Sequence, residues 1–362
     1  MTGALPPGST IGILGSGQLG RMLAVAAAQL GFRVHVYGDA PGPAFDVVAA
    51  KTVGAYEDLG KITAFAESVD VVTYEFENVP LGAAAAAAAI KPVRPGPRAL
   101  EVAQDRLVEK RFLSEIGLPV APFAGVDSLD DLEDALATIG APAILKTCRL
   151  GYDGKGQARI TSAEQPGWAL EAIGHAPAVL EGFVAFEYEI SVLCVRGLNG
   201  TTVIYDVPLN KHQDGILDTS TVPAPISDAV RERACAMATR IAEALDYVGV
   251  LAVEMFYAGA DQQEPLVINE IAPRVHNSGH WTLDACGISQ FENHIRAVAG
   301  WPLGSVSRHS NAVMTNLIGV DVQNWAALAT EPGACLHIYG KNDPRPGRKM
   351  GHVTHLKALT GR

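Results

Sequence analysis

Cysteine is scarce in this chain. Cys148, Cys194, Cys235, Cys286 and Cys335 are scattered, odd in number and never spaced as C-x-x-C. That usage argues against a cysteine zinc motif and fits reduced thiols in a cytoplasm. Basic charge is also short, since the net charge is −11. A nucleic-acid-binding surface would need a basic patch, so no nucleic-acid partner is expected. Anionic substrates must then be held by local clusters of Arg and Lys. No apolar run is long enough to span a bilayer, and the alanine-rich stretch Gly82–Ile90 is far too short. The opening MTGALPPG lacks the basic and apolar regions of a signal peptide. No membrane partner is expected, and the expected location is the cytoplasm.

What is present belongs to a globular protein. Apolar residues make up 48% and charged ones 19% of 362 residues, enough for two or three domains with real cores. The pattern predicts a strand at Thr10–Leu14, a glycine turn GSGQLG, a helix over Arg21–Leu30 and a strand over Arg33–Tyr37. Such a turn lets backbone N–H groups approach an anion at a helix N-terminus. Asp39 stands where an NAD enzyme places its ribose-binding acid, which keeps an NAD(P)-dependent oxidoreductase in play. A further strand, Asp70–Tyr74, ends in Glu75, Phe76, Glu77 and Asn78. Glu77 reads as a solvated loop acid. The proline-rich break Lys91–Arg98 marks the end of the first domain.

Beyond it the sequence predicts one charged helix over Ala99–Ile116, a helix over Leu129–Ile139 and a strand over Ala143–Lys146. Gly151, Tyr152, Asp153, Gly154, Lys155, Gly156 and Gln157 form a glycine-rich loop between that strand and Ala158–Ile160. It reads as a hairpin-borne lid whose N–H groups wrap phosphate oxygens, helped by Lys146 and Lys155. It is not a Walker loop, because no G-K-[ST] opens a helix. Ala178–Val184 predicts a strand whose edge faces a flat purine, Glu189 opens another strand, and Asn210–Asp214 reads as a polar loop.

Leu266–Thr282 carries the densest chemistry. Asn269 and Glu270 interrupt an apolar strand, and Glu254 interrupts another upstream. Buried carboxylates are costly unless paired or bound to a cation, and an oxygen-only set suits Mg²⁺ on nucleotide phosphates. Arg274, His276, Asn277 and His280 follow as donors for an anionic substrate. The bland alternative is a pair of edge strands with solvated acids. His280 reads as a loop-holding histidine and Trp281 as core.

Taken together, the stretches GILGSGQLGRM (Gly12–Met22), Tyr74–Asn78, Asp105-Arg106, Lys146, GYDGKGQ (Gly151–Gln157), NKHQDG (Asn210–Gly215), NEIAPRVHNSGHW (Asn269–Trp281) and RPGRKMGH (Arg345–His352) resemble the ATP-grasp superfamily. Within it they are similar to the N5-carboxyaminoimidazole ribonucleotide synthetase family, and they cover nearly the whole chain in order. The resemblance implies an ATP-grasp fold, α/β and α+β, with three domains: a doubly wound parallel-sheet domain (1–98), a middle domain with the glycine flap (99–185) and a C-terminal domain (186–362). It implies that Arg106, Lys146, Gly151–Gln157, Glu181, Gly182, Phe183, Val184, Glu189, His212, Asn269 and Glu270 line the ATP site, with Mg²⁺ on Glu254 and Glu270. Gly17, Gln18, Leu19, Glu75, Tyr152, Arg274, His276, Asn277, Arg345, Arg348 and Lys349 would face aminoimidazole ribonucleotide and bicarbonate. The glycine turn then serves the ribonucleotide and not NAD.

The implied reaction is an ATP-dependent carboxylation of an amine through carboxyphosphate, in a homodimer. Arg274 and Lys349 are expected at the reacting groups, and the amine proton falls to Asp153 or His276. Another ATP-grasp ligase, such as a formate-using transformylase, is the nearest competing reading. Members of the family usually carry a further helical segment after RPGRKMGH, whereas this sequence ends at Arg362.

Overall fold

The computed structural model describes residues 3–151 and 155–359. Four parallel strands open the chain, β1 (Thr10–Leu14), β2 (Arg33–Gly38), β3 (Ala50–Val53) and β4 (Val71–Tyr74), in the order β3-β2-β1-β4. The crossovers run through α1 (Gln18–Gln29) and α2 (Leu59–Glu67), and α3 (Leu81–Ala88) follows. β1 is buried on both faces, as parallel strands require. Ile11 and Ile13 pack with α1, while Leu14 packs with Phe65 of α2 and Ala83 of α3. Strand order reverses between β1 and β4, so their carboxyl ends frame a crevice. α1 begins at Gln18 and not at the expected Arg21, which places the glycine turn at the helix mouth.

The single helix expected over Ala99–Ile116 is two, α4 (Pro97–Ala103) and α5 (Arg106–Glu115). Asp105 is the cause. Its backbone is extended, and its carboxylate accepts from the N–H groups of Leu107 and Val108 at 3.1 and 3.3 Å. An N-cap there starts a new helix rather than continuing the old one.

A second sheet follows from β5 (Phe123–Val126), β6 (Ala143–Thr147), β7 (Gln157–Ile160) and β8 (Ala178–Gly182), antiparallel in the order β5-β8-β6-β7. α6 (Leu129–Ile139) and α7 (Gly167–Ala172) pack on it through Leu132, Leu136 and Leu170.

The third sheet is larger. Its strands are β9 (Tyr188–Arg196), β10 (Thr202–Ile204), β11 (Leu209–Gln213), β12 (Ile216–Val222), β13 (Gly249–Tyr257), β14 (Leu266–Ala272), β15 (Asn311–Ile318), β16 (Ala334–Ile338) and β17 (Lys349–Lys357). They run β14-β13-β9-β11-β12-β15-β17-β16, with β10 on β9. The helices here are α8 (Asp228–Ala244), α9 (Thr282–Ala285), α10 (Gln290–Val298) and α11 (Trp325–Leu328). Asn210–Asp214, expected as a loop, is mostly β11. It turns into β12 at Asp214-Gly215, both at positive φ (52° and 77°). Asp-Gly with two left-handed residues is the two-residue hairpin turn.

α1 packs against α10, and one core joins Ile11 and Leu23 to Trp281, Phe291 and Ile295. The first sheet is thereby fixed to the third. On the opposite face of β9 and β13, α8 and α5 close a second core through Ile241 and Phe112.

Candidate active site

The cleft between the second and third sheets is lined by Ala121, Ile144, Lys146, Glu181, Gly182, Phe183, Val184, Phe186 and Phe256. Phe186 and Phe256 stack with ring centroids 4.6 Å apart. Pro122 and Pro142 carbonyls accept the N–H groups of Gly182 and Phe183 at 2.8 and 3.1 Å, which fixes the course of this wall. At its floor Glu181 Oε2 lies 3.2 Å from both Lys110 Nζ and Lys146 Nζ. Burial alone would raise the Glu181 carboxyl, but Lys146 and Lys110 outweigh it and hold the group below the usual carboxylate range. Burial pushes Lys146 down, with Glu181 working against it. Glu181 Oε1 has no hydrogen-bond partner among the described residues.

The acids sit on the third sheet. Glu254 of β13 pairs in register with Glu270 of β14, so both side chains leave the same face. Directly after this pair the register shifts, from Glu254↔Glu270 to Met255↔Ile268. Asn269 is the extra residue of that bulge. A bulge re-aims side chains, and it lets neighbours that would alternate in a regular strand both reach the cleft. Asn269 Oδ1 lies 3.5 Å from Lys146 Nζ, and Glu270 Oε2 accepts from Arg106 at 2.8 Å. Burial would raise the Glu270 carboxyl; Arg106 outweighs it and keeps it ionised. Arg106 in turn reaches the carbonyl of Gly151 at 3.3 Å.

His276 links the acids to a buried polar chain. Its Nε2 lies 3.0 Å from Glu254 Oε1 and its Nδ1 lies 2.8 Å from Ser278 Oγ. The backbone N–H of Ser278 also points at Nδ1, so Nδ1 accepts and Nε2 carries the hydrogen toward Glu254. Behind it, Ser220 donates to Asn210, Asn210 donates to Ser191, and Ser191 lies 2.7 Å from Ser278. Every step has the same polarity. His212 Nδ1 forms a separate ion pair with Glu189 at 2.6 Å. Burial opposes the charge on His212, but Glu189 outweighs it and raises the imidazole above its usual value.

At the crevice of the first sheet, Glu75 accepts from the N–H groups of Gly17 and Gly20. The glycine turn therefore already holds the chain's own Glu75 carboxyl, which burial raises above the usual carboxylate range against the pull of the two N–H groups. Gly15, at φ +116°, has no room for a Cβ, which would lie 2.8 Å from Glu75 Oε1. The side chain of Leu19 is in the core, so of that residue only the backbone can face a substrate. Lys341, which the sequence did not single out, is half-buried, lies near Glu75 and donates to the carbonyl of Lys349 at 2.7 Å. Burial pushes it down to about 8, and Arg348 adds to this.

Several expected residues are engaged with protein groups. Arg274 clasps Glu77, with Nη2 to Oε1 at 3.1 Å, so Glu77 is no solvated loop acid. Burial would raise the Glu77 carboxyl, and Arg274 overrides it. Asn277 and Asn316 exchange amide hydrogen bonds at 2.9 and 2.7 Å. Arg348 donates to the carbonyls of Asn342 and Asp343 at 2.7 and 3.1 Å, tying down its own loop beside Arg345. His280 is buried and contacts Gln290 at 3.2 Å, which fits a loop-holding role. Tyr152, Asp153 and Gly154 lie outside the described residues. Gly156, at φ +69°, packs so tightly on Thr147 that a Cβ would come within 2.7 Å of Thr147 Oγ1. Gln157 pairs with Lys146 at the base of the β6–β7 hairpin. Sequence reasoning placed Lys110 on the charged helix without a role and passed over Glu109, although Lys110 stands four residues after Arg106 on one helix face.

Two sheets closing on one cleft, with a glycine hairpin on the first and paired acids on the second, define an ATP-grasp ligase. Residues 111–291 match the ATP-grasp domain, residues 9–104 the ribonucleotide synthetase preATP-grasp domain, and residues 312–360 the phosphoribosylaminoimidazole carboxylase C-terminal domain. The chain is 52% identical to the N5-carboxyaminoimidazole ribonucleotide synthase of Brucella melitensis, over 99% of each sequence. It superposes on the N5-carboxyaminoimidazole ribonucleotide synthetase of Thermus thermophilus with a TM-score of 0.89 at 48% identity, covering 96% and 93% of the two chains. The Aspergillus clavatus enzyme, solved with ADP and 5-aminoimidazole ribonucleotide, gives 0.91 at 30% identity, covering 97% and 94%. The chain belongs to the N5-carboxyaminoimidazole ribonucleotide synthetase family.

Proposed function

We propose that this chain carboxylates 5-aminoimidazole ribonucleotide with bicarbonate, converting ATP to ADP and phosphate, in purine synthesis. The observation that carries the reading is the Glu254/Glu270 pair facing the Lys146–Glu181–Lys110 cluster across one cleft. Adenine takes the slot between Phe183, Val184, Phe186 and Phe256, where its amino group would satisfy the unpartnered Glu181 Oε1. Glu189 takes the ribose hydroxyls, with His212 holding that carboxylate in place. Lys146, Arg106 and the Gly151–Gln157 amides hold the phosphates, Lys155 among them. The paired carboxylates of Glu254 and Glu270, with Asn269, form an oxygen-only donor set that fits Mg²⁺. When bound, that ion supplies positive charge to the phosphate oxygens.

The chemistry follows from a leaving-group problem. A bicarbonate oxygen attacks the γ-phosphorus and ADP leaves, giving carboxyphosphate. Phosphate then departs in place of hydroxide and leaves CO₂ beside the exocyclic amine. The amine nitrogen bonds to that carbon and gives up one proton, to Asp153 or to His276. Carboxyphosphate is short-lived in water, so the lid must close over it. Gly17, Gln18, Leu19, Glu75, Tyr152, Arg274, His276, Asn277, Arg345, Arg348 and Lys349 are assigned to the ribonucleotide and bicarbonate. Arg274 and Lys349 stand nearest the reacting groups in this assignment.

The divisions at 98 and 185 separate the three sheets, which supports them as domain boundaries. No helix among the described residues is long and apolar enough to cross a membrane. The expectation of a cytoplasmic homodimer rests on the family resemblance. The test is phosphate release from ATP with bicarbonate, with and without aminoimidazole ribonucleotide. The expected outcome is fast release only with both, and one carboxylate fixed per phosphate. Release driven by formate, or indifferent to the ribonucleotide, sinks the reading.

A further inference from the structure

Behind the loop that carries His276, α9 and the β16–β17 hairpin gather three metal-ligating side chains that the proposed reaction does not use. His337 of β16 and His352 of β17 are direct cross-strand partners, which sets both side chains on one face of the sheet. Their rings stack with centroids 4.5 Å apart. Asp284 of α9 reaches His337 Nε2 with its two oxygens at 2.9 and 3.1 Å. One donor atom from each of the three residues lies within 4.8 Å of the other two. A tetrahedral Zn²⁺ with bonds near 2.0–2.1 Å sets its ligand atoms about 3.3 Å apart, so binding requires the two rings to turn out of their stack until their in-plane lone pairs converge.

A second observation points to a ligand. His352 Nε2 is buried and has no hydrogen-bond partner among the described residues. Buried polar atoms are seldom left this way. The other ring nitrogen, Nδ1, is held by the Tyr339 hydroxyl at 2.8 Å. A histidine ligand typically engages its second nitrogen in that manner, leaving the first for the metal. His337 is about one-third exposed and offers an entry path. Cys335, two residues away on the same face of β16, lies beside Asp284.

We propose that Asp284, His337 and His352 bind a borderline divalent transition cation of the Zn²⁺ class, separately from the oxygen-only pair Glu254 and Glu270. Imidazole nitrogen favours such ions over Mg²⁺, which keeps the two sites chemically distinct. Bound there, the ion staples α9, which follows the His276 loop, to the hairpin that carries Lys349. It orders the wall behind the substrate residues and touches no reacting atom.

The experiment uses the full chain, stripped with chelator and kept in excess Mg²⁺, with Zn²⁺ delivered in competition with a chromophoric chelator. One equivalent is expected to bind. His337→Gln and His352→Gln each weaken it by about 100-fold or more, and Tyr339→Phe, which keeps all three ligands, by about 10- to 100-fold. Co²⁺ in place of Zn²⁺ gives visible absorption that His337→Gln removes. His276→Gln leaves binding intact. Absence of stoichiometric Zn²⁺ overturns the proposal, and so does binding that His276→Gln removes and His337→Gln does not. Should His352→Gln fail to fold, the partly exposed His337 still decides the matter.

Discussion

At the scale of single residues, the site is a set of charges that neutralise one another until ligands arrive. Glu270 is the clearest case. Its carboxylate is shared between Arg106 and the cleft, and its neighbour Asn269 reaches the same space only through a bulge. Removing its charge while keeping its shape should reduce kcat by at least about 100-fold, because charge aimed at a phosphoryl transition state is a large catalytic term. Glu270→Gln should keep the Tm within a few degrees of wild type. Near-normal turnover at saturating Mg²⁺ would take Glu270 out of the metal set. Part of this residue's role was legible, since an acid inside an apolar strand is costly and draws attention. Glu77 was not legible. Nothing in Glu-Phe-Glu-Asn announces that Arg274, almost two hundred positions later, clasps its second acid.

At the scale of elements, α5 shows how a helix serves both core and cleft. Arg106 and Lys110 reach the cleft acids Glu270 and Glu181, while Glu109 is buried with Oε1 accepting from Ile271 N–H at 2.6 Å. Burial pushes the Glu109 carboxyl up to about 8, with Glu270 adding to the rise and Lys110 opposing it. A folded value above the ordinary one means that Glu109 favours the folded state most at low pH. That contribution is present below pH about 4.5 and is lost as pH rises through about 8. The Tm of wild type should therefore fall relative to Glu109→Gln across this window, by at least about 2 °C. Parallel curves for the two proteins would show that Glu109 keeps an ordinary carboxyl. The start of α5 was readable from Asp105 as a cap residue. The sequence reading ran α4 and α5 together because their combined stretch is uniformly helix-forming and charged. β11 was missed for a related reason: its polar side chains look like a loop, and two of them, Asn210 and His212, serve the relay and the Glu189 pair.

At the scale of the whole molecule, two crevices compete for a nucleotide, one at the first sheet and one between the second and third. In the glycine turn of the first, the N–H groups of Gly17 and Gly20 are taken by Glu75. The second has the cations, the paired acids and the aromatic slot. ATP with Mg²⁺ should therefore stabilise the protein by about 2.7 kcal/mol at a hundredfold excess over its Kd, seen as a rise in Tm. NADH at the same concentration should leave the Tm unchanged. Tight NADH binding without ATP binding would return the first crevice to a dinucleotide and overturn the assignment.

The sequence by itself determined the classes of local structure: strands from apolar runs, the β6–β7 hairpin from its glycines, and the acids from the cost of placing charge among Val and Ile. It also carried the family, since its motifs run nearly the length of the chain. Only the tertiary structure decided which charges meet. Glu181 with two lysines, Glu75 with the glycine turn, and the serine chain behind His276 all join residues far apart in sequence. Hydrogen-bond partners are chosen by packing and register, and a string of residues encodes those only through the fold they build together.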